Sequence, residues 1–329
     1  MTYYMERNLF TMNHQHKVAQ YRAIDLFAGI GGIRLGFQHA FQENIEFVFA
    51  SEIDKYACET YYANYGEKPY GDITKIDEKN IPPFDILLGG FPCQAFSIAG
   101  LRKGFEDTRG TLFFEIARIV EHHKPQVVFL ENVKGFKNHD KGTTFKVVKE
   151  TLQNLGYKVF AEVLNAKDFG VPQNRERIYI IAFLDHSIEF EFPQKIEQGL
   201  QVKKLLQNKV DDKYYYNDKP LYEKIKDDVN NPESIYQWRR QYVRENKSGV
   251  CPTLTANMGM GGHNVPIVRD KKGIRKLTPR ECLNFQGFPE NFILPSNQVD
   301  SQLYKQSGNS VVVPVINHIA LKIKNILEK

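Results

Sequence analysis

The chain has 329 residues, a net charge of +5, and charged (25%) and hydrophobic (42%) fractions typical of a globular protein. No stretch approaches the roughly 18 consecutive apolar residues of a membrane span, and the polar first twenty residues lack the apolar core of a signal peptide. The four cysteines form no CxxC pair, which argues against a disulfide framework or a zinc motif. We therefore expect a cytoplasmic protein with one large domain or two unequal ones.

The positive charge is concentrated in one segment. Between Trp238 and Arg280 there are ten Lys or Arg residues and two acidic residues, so the rest of the chain has a net charge of about −3. Aromatic residues such as Tyr236 and Tyr242 lie among the arginines. This asymmetry indicates a surface for a polyanion such as nucleic acid. The alternative is an ordinary solvated run of charges.

A glycine-rich turn follows the first predicted strand. Residues 23–27 form the strand, residues 28–32 the turn, and residues 33–41 an amphipathic helix. Such a turn lets a ligand approach the backbone and the amino terminus of the helix. The third glycine of a dinucleotide fingerprint would fall at Arg34, which weakens the case for NAD and leaves room for a single-nucleoside ligand such as S-adenosylmethionine.

Two carboxylates follow at positions suited to a nucleoside. Glu52 follows the strand predicted at residues 47–50, where an acid can bind ribose hydroxyls. Asp72 comes after the next helix and is suited to an adenine amino group. An ordinary turn aspartate is the alternative for Asp72.

A cysteine occupies the loop after a short apolar strand. Residues 84–88 run into Gly89, Gly90, Phe91 and Pro92, and Cys93 follows. Ligands bind at the carboxyl ends of strands in an open α/β sheet, so Cys93 is a candidate nucleophile. The alternative is an inert, buried cysteine. We expect the polar, glycine-containing segment 96–110 to be a mobile lid.

Strands and helices continue to alternate along the chain. Helices are predicted at 111–120 and 143–155, and strands at 126–130, 157–164 and 177–183. Alternation of this kind predicts a doubly wound, mostly parallel α/β sheet. The pattern ends near residue 185, so we predict one domain from residues 1–187 plus 300–329 and a smaller one from residues 188–299.

Eight motifs in this order form a recognisable set. They are DLFAGIGG at 25–32, Glu52, GDI at 71–73, GFPCQ at 90–94, ENV at 131–133, QNRER at 173–177, RKLTPREC at 275–282 and GNS at 308–310. With the variable basic segment between them, the chain resembles the short C5-cytosine DNA methyltransferases of bacterial restriction–modification systems. The resemblance runs from about residue 21 to the end. It implies a Rossmann-like, S-adenosylmethionine-dependent catalytic domain and a smaller target-recognition domain.

The resemblance also implies catalytic roles. Cys93 would add as a thiolate to C6 of a flipped cytosine, and Glu131 would donate or share a proton at N3. Arg177 would hold the base O2, with Arg175 beside it in the same pocket. Both arginines could instead be ion-pair partners at the end of a strand.

The remaining implied contacts are to the cofactor and to DNA. The expected S-adenosyl-L-methionine residues are Phe27, Ala28, Gly29, Gly31, Glu52, Ile53, Asp72, Ile73, Gly90, Pro92, Leu112, Asn309 and Val311, although core packing explains Leu112 and Val311 nearly as well. The expected DNA contacts are Ser97, Arg239, Arg240, Arg244, Thr253, Thr255, Asn257 and His263. Most of these polar residues could equally brace loops. No metal is expected.

Three other functions are compatible with parts of the pattern. A tRNA cytosine-5 methyltransferase would share the core, but the long basic segment favours duplex DNA. An NAD-dependent oxidoreductase is disfavoured by the missing glycine. A DNA-binding protein without catalysis would not require Cys93, Glu131 and Arg177 together. We also expect a monomer and a cognate restriction endonuclease that acts on the same site.

Overall fold

A computed structural model describes residues 19–92, 112–196, 202–246, 249–260 and 264–329. Six strands form the larger sheet in the order β2-β1-β3-β4-β6-β5. They are β1 (Tyr21–Leu26), β2 (Ile45–Ser51), β3 (Ile86–Gly89), β4 (Val127–Val133), β5 (Lys158–Asn165) and β6 (Glu176–Phe183). Only β6 runs against the others in this sheet, since it pairs antiparallel with both β4 and β5.

Helices cover both faces of this sheet. All helices of the described residues, including those that pack elsewhere, are α1 (Gly32–Phe41), α2 (Lys55–Tyr65), α3 (Leu112–His123), α4 (Thr143–Asn154), α5 (Tyr222–Ile225), α6 (Pro279–Asn284), α7 (Asp300–Asn309) and α8 (Val313–Leu327). One face buries Phe37 and Ile316 of α1 and α8, and the other buries Ile116 and Val148 of α3 and α4. The prediction of a doubly wound, mostly parallel sheet is confirmed.

The strand order places a crevice between β1 and β3. The chain passes from β1 to β2 on one side, and β3 then returns to pair with β1 on the other side. In open α/β sheets, ligands bind at the carboxyl edge where the order reverses in this way. The glycine-rich turn after β1 and the segment Gly90–Pro92 after β3 both lie at this edge.

A second sheet is antiparallel and smaller. Its order is β10-β9-β7-β8, with β7 (Ile235–Trp238), β8 (Val243–Asn246), β9 (Ile267–Arg269) and β10 (Ile274–Lys276). Beneath it, Ile235, Leu254 and Val268 pack in one core with Tyr304 of α7. Phe190 and Phe192 pack instead into the core of the larger sheet. The domain boundaries near residues 188 and 299 remain a prediction.

One helical stretch among the described residues has the length and composition of a membrane span. It covers Asp300–Leu327, and its most apolar part has a mean hydropathy of 1.3. Half of that part is buried inside the protein, where Ile316, Ile319 and Ile323 of α8 belong to the core of the larger sheet. The stretch is therefore weak evidence for a membrane, since a core helix has the same properties.

Candidate active site

A cavity of about 440 Å³ opens at the carboxyl edge of the larger sheet. The walls come from the ends of the first four strands, from the start of β6 and from the end of α7. The expected site residues in its lining are Phe27, Ala28, Gly29, Glu52, Ile53, Gly90, Pro92, Leu112, Glu131, Arg175, Arg177, Asn309 and Val311. The strand order therefore brings together residues that lie up to 284 positions apart, from Phe27 to Val311.

The turn after β1 adopts left-handed backbone conformations. Phe27 and Gly29 both have a φ of 55°, and Gly31 has a φ of 81°. A non-glycine residue such as Phe27 is uncommon in this region of φ, and strain of this kind concentrates at functional sites. Gly31 does not line the cavity. A Cβ at Gly31 would lie 2.3 Å from the Tyr65 ring, so this glycine serves packing.

Glu52 holds two loops in place with its carboxylate. Its Oε2 accepts a hydrogen bond from the amide of Gly29 at 2.8 Å, and its Oε1 accepts bonds from the amides of Ile53 and Asp54, each at 2.8 Å. A carboxylate has about four lone-pair sites, so it can still accept hydroxyl donors. Glu52 is thus fixed at the cavity rim and is able to bind a diol. Ile53 beside it is exposed.

Two expected cofactor residues, Asp72 and Ile73, are not in the lining of this cavity. Asp72 caps a short 3₁₀ turn, Ile73–Lys75, by accepting from the amide of Thr74 at 3.1 Å. Ile73 is buried against the core under α3, and its carbonyl accepts from Arg118 at 2.7 Å. The amide of Glu52 donates to the carbonyl of Tyr70 at 2.9 Å, so this turn begins beside Glu52.

Glu131 and Arg177 form a partly exposed ion pair at the cavity floor. Nε of Arg177 lies 3.0 Å from Oε1 of Glu131, and the two side chains are 13% and 11% exposed. Both residues are held by strand pairing, because Glu131 lies opposite Tyr179 and Val133 opposite Arg177. Glu131 therefore lies inside β4 rather than just beyond it. Burial raises the pKa of Glu131 against the opposing effect of Arg177 and Arg175.

Arg175 donates to backbone carbonyls, whereas Arg177 pairs with Glu131. Its Nη1 donates to the carbonyl of Leu254 at 2.6 Å, and its Nη2 donates to the carbonyls of Gly308, at 3.1 Å, and Ser310. Burial, reinforced by the nearby positive charge of Arg177, lowers the pKa of Arg175 to about 9. Arg175 and Arg177 thus line one cavity but have distinct hydrogen-bond partners.

A side-chain hydrogen bond holds the backbone just before the expected nucleophile. The buried Asn132 donates from Nδ2 to the carbonyl of Phe91 at 2.9 Å, and Pro92 lines the cavity. Cys93 is the next residue in the sequence and lies outside the described residues, as does the predicted lid at 96–110. Burial raises the pKa of Cys58 to about 11 and raises the pKa values of Cys251 and Cys282.

Some cavity residues were not predicted as site residues from the sequence, and a charged pair is among them. Asp54, Lys305 and Gln306 line the cavity, and Nζ of Lys305 lies 2.6 Å from Oδ2 of Asp54. Asp54 also caps α2 by accepting from the amides of Tyr56 and Ala57. An aspartate directly before a helix is a recognisable cap signal, whereas the pairing with Lys305 depends on the tertiary fold.

A buried acid lies beneath the glycine-rich turn. Asp25 is 1% exposed, and neither of its carboxylate oxygens has a hydrogen-bond partner among the described residues. Burial raises the pKa of Asp25 to about 7, opposed by the nearby Arg34 and reinforced by Glu52. Asp25 is therefore partly protonated near neutral pH.

The expected DNA contacts are spread over two surface segments. Arg239 and Arg240 lie in the β7–β8 turn, which is closed by a bond from the amide of Arg239 to the carbonyl of Tyr242 at 2.9 Å. These arginines and Arg244 of β8 are exposed, as are Thr255 and Asn257. Thr253 is half-buried and donates to the carbonyl of Asn174 at 2.6 Å. Ser97 and His263 lie outside the described residues.

Part of the basic segment is structural. Arg275 is 1% exposed and donates to both carboxylate oxygens of Glu281, at 2.8 and 2.9 Å, and to Asp270 at 2.6 Å. Its charge is therefore neutralised inside the protein. The described residues contain no group of three His, Cys, Asp or Glu side chains that could hold a metal ion.

A family model for C-5 cytosine-specific DNA methylases matches residues 21–325. This chain belongs to that family. The methylase is 55% identical over 304 residues to the Type II methyltransferase M.Bsp6I of Bacillus sp. (strain RFL6), a match that covers 90% of this chain and 96% of that protein. It is 50% identical over 317 residues to the Type II methyltransferase M1.ScrFI of Lactococcus lactis subsp. cremoris, covering 95% and 80% of the two chains.

A solved structure agrees with the fold of the methylase. The S. pombe Dnmt2 methyltransferase superposes with a TM-score of 0.73 at 23% identity, and the match covers 93% of this chain and 99% of that chain. Family membership confirms the predicted function, because the chain is a methyltransferase that acts on C5 of cytosine in DNA. The alternative, a tRNA cytosine-5 methyltransferase, is less supported by these relatives.

Proposed function

We propose that this methylase transfers a methyl group from S-adenosylmethionine to one flipped cytosine in a short, specific duplex sequence. The observation that carries the proposal is the single cavity that joins Glu52, the segment Gly90–Pro92, Glu131 and Arg177 at one sheet edge. We further propose that it acts in the cytoplasm as a monomer, alongside a restriction endonuclease for the same site. The Type II naming of its relatives supports this last point.

The cavity fits a nucleoside-based methyl donor. Its volume of about 440 Å³ falls in the range of small-molecule pockets, roughly 300–1,000 Å³. Glu52 would accept the ribose hydroxyls, while Phe27 and the backbone at Gly29 would enclose the methionine part. Asp72 would accept from the adenine amino group beyond Ile53. When bound, S-adenosylmethionine supplies an electrophilic methyl group on a sulfonium sulfur.

Cys93 would begin the reaction from the other side of the base. Its thiolate forms a bond to C6 of cytosine, and the electrons of the C5–C6 double bond make C5 nucleophilic. Glu131 promotes this step by donating a proton or a strong hydrogen bond at N3. The raised pKa of Glu131 favours the protonated form that such a donor requires. After methylation, loss of the C5 proton and cleavage of the S–C6 bond release the product.

Arg177 would position both the base and the acid. Its Nε is bound to Glu131, and its guanidinium can also donate to O2 of the cytosine. A cytosine in a duplex hides its faces in the base stack, so it must be flipped into the cavity at a cost of a few kcal/mol. Arg239, Arg240 and Arg244 would contact phosphates, and neighbouring polar residues would read base edges.

A methyl-transfer assay tests the proposed substrate. Purified protein is incubated with methyl-labelled S-adenosylmethionine and either mixed-sequence duplex DNA or tRNA, and the modified base is identified after digestion. We expect 5-methylcytosine in the duplex DNA, confined to one short sequence. Labelled tRNA with unlabelled duplex DNA would contradict the proposal.

Replacement of Cys93 tests the nucleophile. We expect Cys93→Ser to lower methyl transfer by at least about 1,000-fold, because a neutral hydroxyl is a far weaker nucleophile than a thiolate. Binding of DNA and of S-adenosylhomocysteine should persist. Cys282→Ala is the matched control, since Cys282 is fully buried in α6. Undiminished transfer by the Cys93 variant would exclude the covalent route.

A further inference from the structure

Arg175 joins three parts of the chain that lie far apart in the sequence. It belongs to the segment that leads into β6, and its guanidinium donates to Leu254 at 2.6 Å and to Gly308 at 3.1 Å. A further bond goes to the carbonyl of Ser310. All three acceptors are backbone carbonyls, and Arg175 itself is 3% exposed. Both Nη atoms thus donate to the protein itself, whereas the buried Nε has no hydrogen-bond partner among the described residues.

The segment that contains Leu254 packs directly on α7. A Cβ at Gly308 would lie 2.0 Å from the carbonyl carbon of Thr255 and 2.2 Å from the amide nitrogen of Ala256. A Cβ at Gly259 would lie 2.4 Å from the carbonyl oxygen of Ser301. The two backbones therefore approach closely at both ends of the contact, where an added methyl group would not fit.

Helix α7 also faces the cavity. Gln306 and Asn309 line it, as do Lys305 and Gly308 of the side that packs on residues 255–259, and Ser310 and Val311 continue the wall after the helix ends. Thr255 and Asn257, on the segment that packs against α7, are exposed and belong to the expected DNA contacts. Helix α7 is thus a shared wall between the expected DNA surface and the expected cofactor pocket.

We propose that Arg175 is a positioning residue that sets the spacing between the DNA-recognition segment, residues 253–259, and the cofactor wall, residues 308–311. It does so by holding Leu254 on one side and the turn Gly308–Ser310 on the other. Arg175 then acts on catalysis through both binding surfaces rather than by touching the base. Arg177, whose Nε pairs with Glu131, is then the arginine that donates to O2 of the cytosine. This inference rests on the proposed function.

The variant Arg175→Lys tests this role, because lysine keeps the charge but lacks the planar fork that spans two carbonyl groups. Without the guanidinium, some of the buried carbonyl groups of Leu254, Gly308 and Ser310 lose their hydrogen-bond donor, which costs free energy. We therefore expect both the DNA-recognition segment and the cofactor wall to shift. We expect the KM for S-adenosylmethionine and the KM for duplex DNA each to rise about tenfold or more. The kcat at saturation of both substrates should stay within about threefold of the unchanged protein.

Arg275→Lys is the matched control. Arg275 is equally buried and makes three short bonds to carboxylates, but its partners Asp270 and Glu281 lie away from the cavity lining. The Arg275→Lys variant should lose stability. Assayed at a temperature where it is still folded, it should show no more than about a twofold rise in either KM. If Arg175→Lys does not fold, Gly308→Ala gives the same test, since its methyl group would separate α7 from Thr255.

Several results would overturn the inference. A large loss of kcat with both KM values unchanged would mean that Arg175 touches the base. A rise in only one KM, or a loss of stability alone, would mean that it does not set the spacing of both walls. Calorimetric dissociation constants for S-adenosylhomocysteine and DNA give the same comparison without turnover. They would still report on Arg175 if the unchanged protein transferred no methyl group to cytosine.

Discussion

The cavity edge of the larger sheet and the β7–β8 turn of the smaller sheet hold their charged side chains in opposite ways. At the edge of the six-stranded sheet, Glu131 and Arg175 are buried and Glu52 is half-buried, and the three are fixed by an ion pair, backbone carbonyls and backbone amides, respectively. On the four-stranded sheet, Arg239 and Arg240 are exposed at a hairpin turn. A reaction centre needs groups held in one geometry, whereas a surface that binds phosphates can adjust to the DNA.

The largest effect should come from the buried acid of the reaction centre. Glu131→Gln keeps the shape of the side chain and an acceptor for Arg177, but it cannot transfer a proton. We expect kcat to fall about 1,000-fold, or about 4 kcal/mol of transition-state stabilisation, with both KM values little changed. Single-turnover methyl transfer measures this.

Glu52→Gln is the matched comparison for that variant. It has the same change in charge within the same cavity, but Glu52 bonds to the amides of Gly29, Ile53 and Asp54. We expect it to raise the KM for S-adenosylmethionine more than it lowers kcat. If Glu131→Gln and Glu52→Gln changed kcat and the KM for S-adenosylmethionine to the same extent, the separate roles of Glu131 as the acid and of Glu52 as a cofactor residue would be contradicted.

The next effect concerns stability and pH. The folded pKa of Asp25, about 7, is above its ordinary value of 3.8. The folded state therefore binds more protons than the unfolded state, and the free energy of unfolding falls as pH rises towards 7. Between pH 5 and pH 8, Asp25 should lower the free energy of unfolding by up to about 3 kcal/mol, and we expect Asp25→Asn to remove this decrease. Urea denaturation at both pH values measures it.

The control for Asp25 is an exposed carboxylate. The pKa of Asp185 is lowered, chiefly by hydrogen bonds from Ser187, so Asp185 stays ionised throughout this range. Asp185→Asn should leave the decrease between pH 5 and pH 8 unchanged. If the Asp25 and Asp185 variants behaved alike, burial of Asp25 would have no thermodynamic consequence.

The smallest effect should come from the exposed arginines. If Arg239 and Arg240 each neutralise one phosphate, changing both to Gln should reduce the salt dependence of DNA binding by about 1.8 in the log–log slope. The KM for S-adenosylmethionine should not change. Fluorescence anisotropy of a labelled duplex across a salt series measures the slope.

Lys149→Gln is the control for this pair, because Lys149 is an exposed lysine on α4. It should leave the slope unaltered. An unchanged slope in the arginine variant would exclude the β7–β8 turn from the DNA surface.

The same contrast explains what could be predicted from the sequence. Strand ends predicted the sheet and the lining residues Gly29 and Glu52, because local sequence determines where a strand ends, and the family resemblance added Pro92. Arg175 was expected at the base, but its contacts depend on Leu254 and Ser310, which only the tertiary fold brings near. Likewise, composition cannot distinguish the neutralised Arg275 from the exposed Arg240.

The central claim is that Cys93 bonds to C6 of an unstacked cytosine beside a cavity that holds the methyl donor. Duplex DNA with 5-fluorocytosine at the target position tests it directly, since fluorine cannot leave C5 as a proton does. Incubation with S-adenosylmethionine, followed by peptide mapping with mass spectrometry, should give a stable DNA adduct on the peptide that contains Cys93. Methylated 5-fluorocytosine without an adduct, or an adduct on Cys58, Cys251 or Cys282, would contradict it.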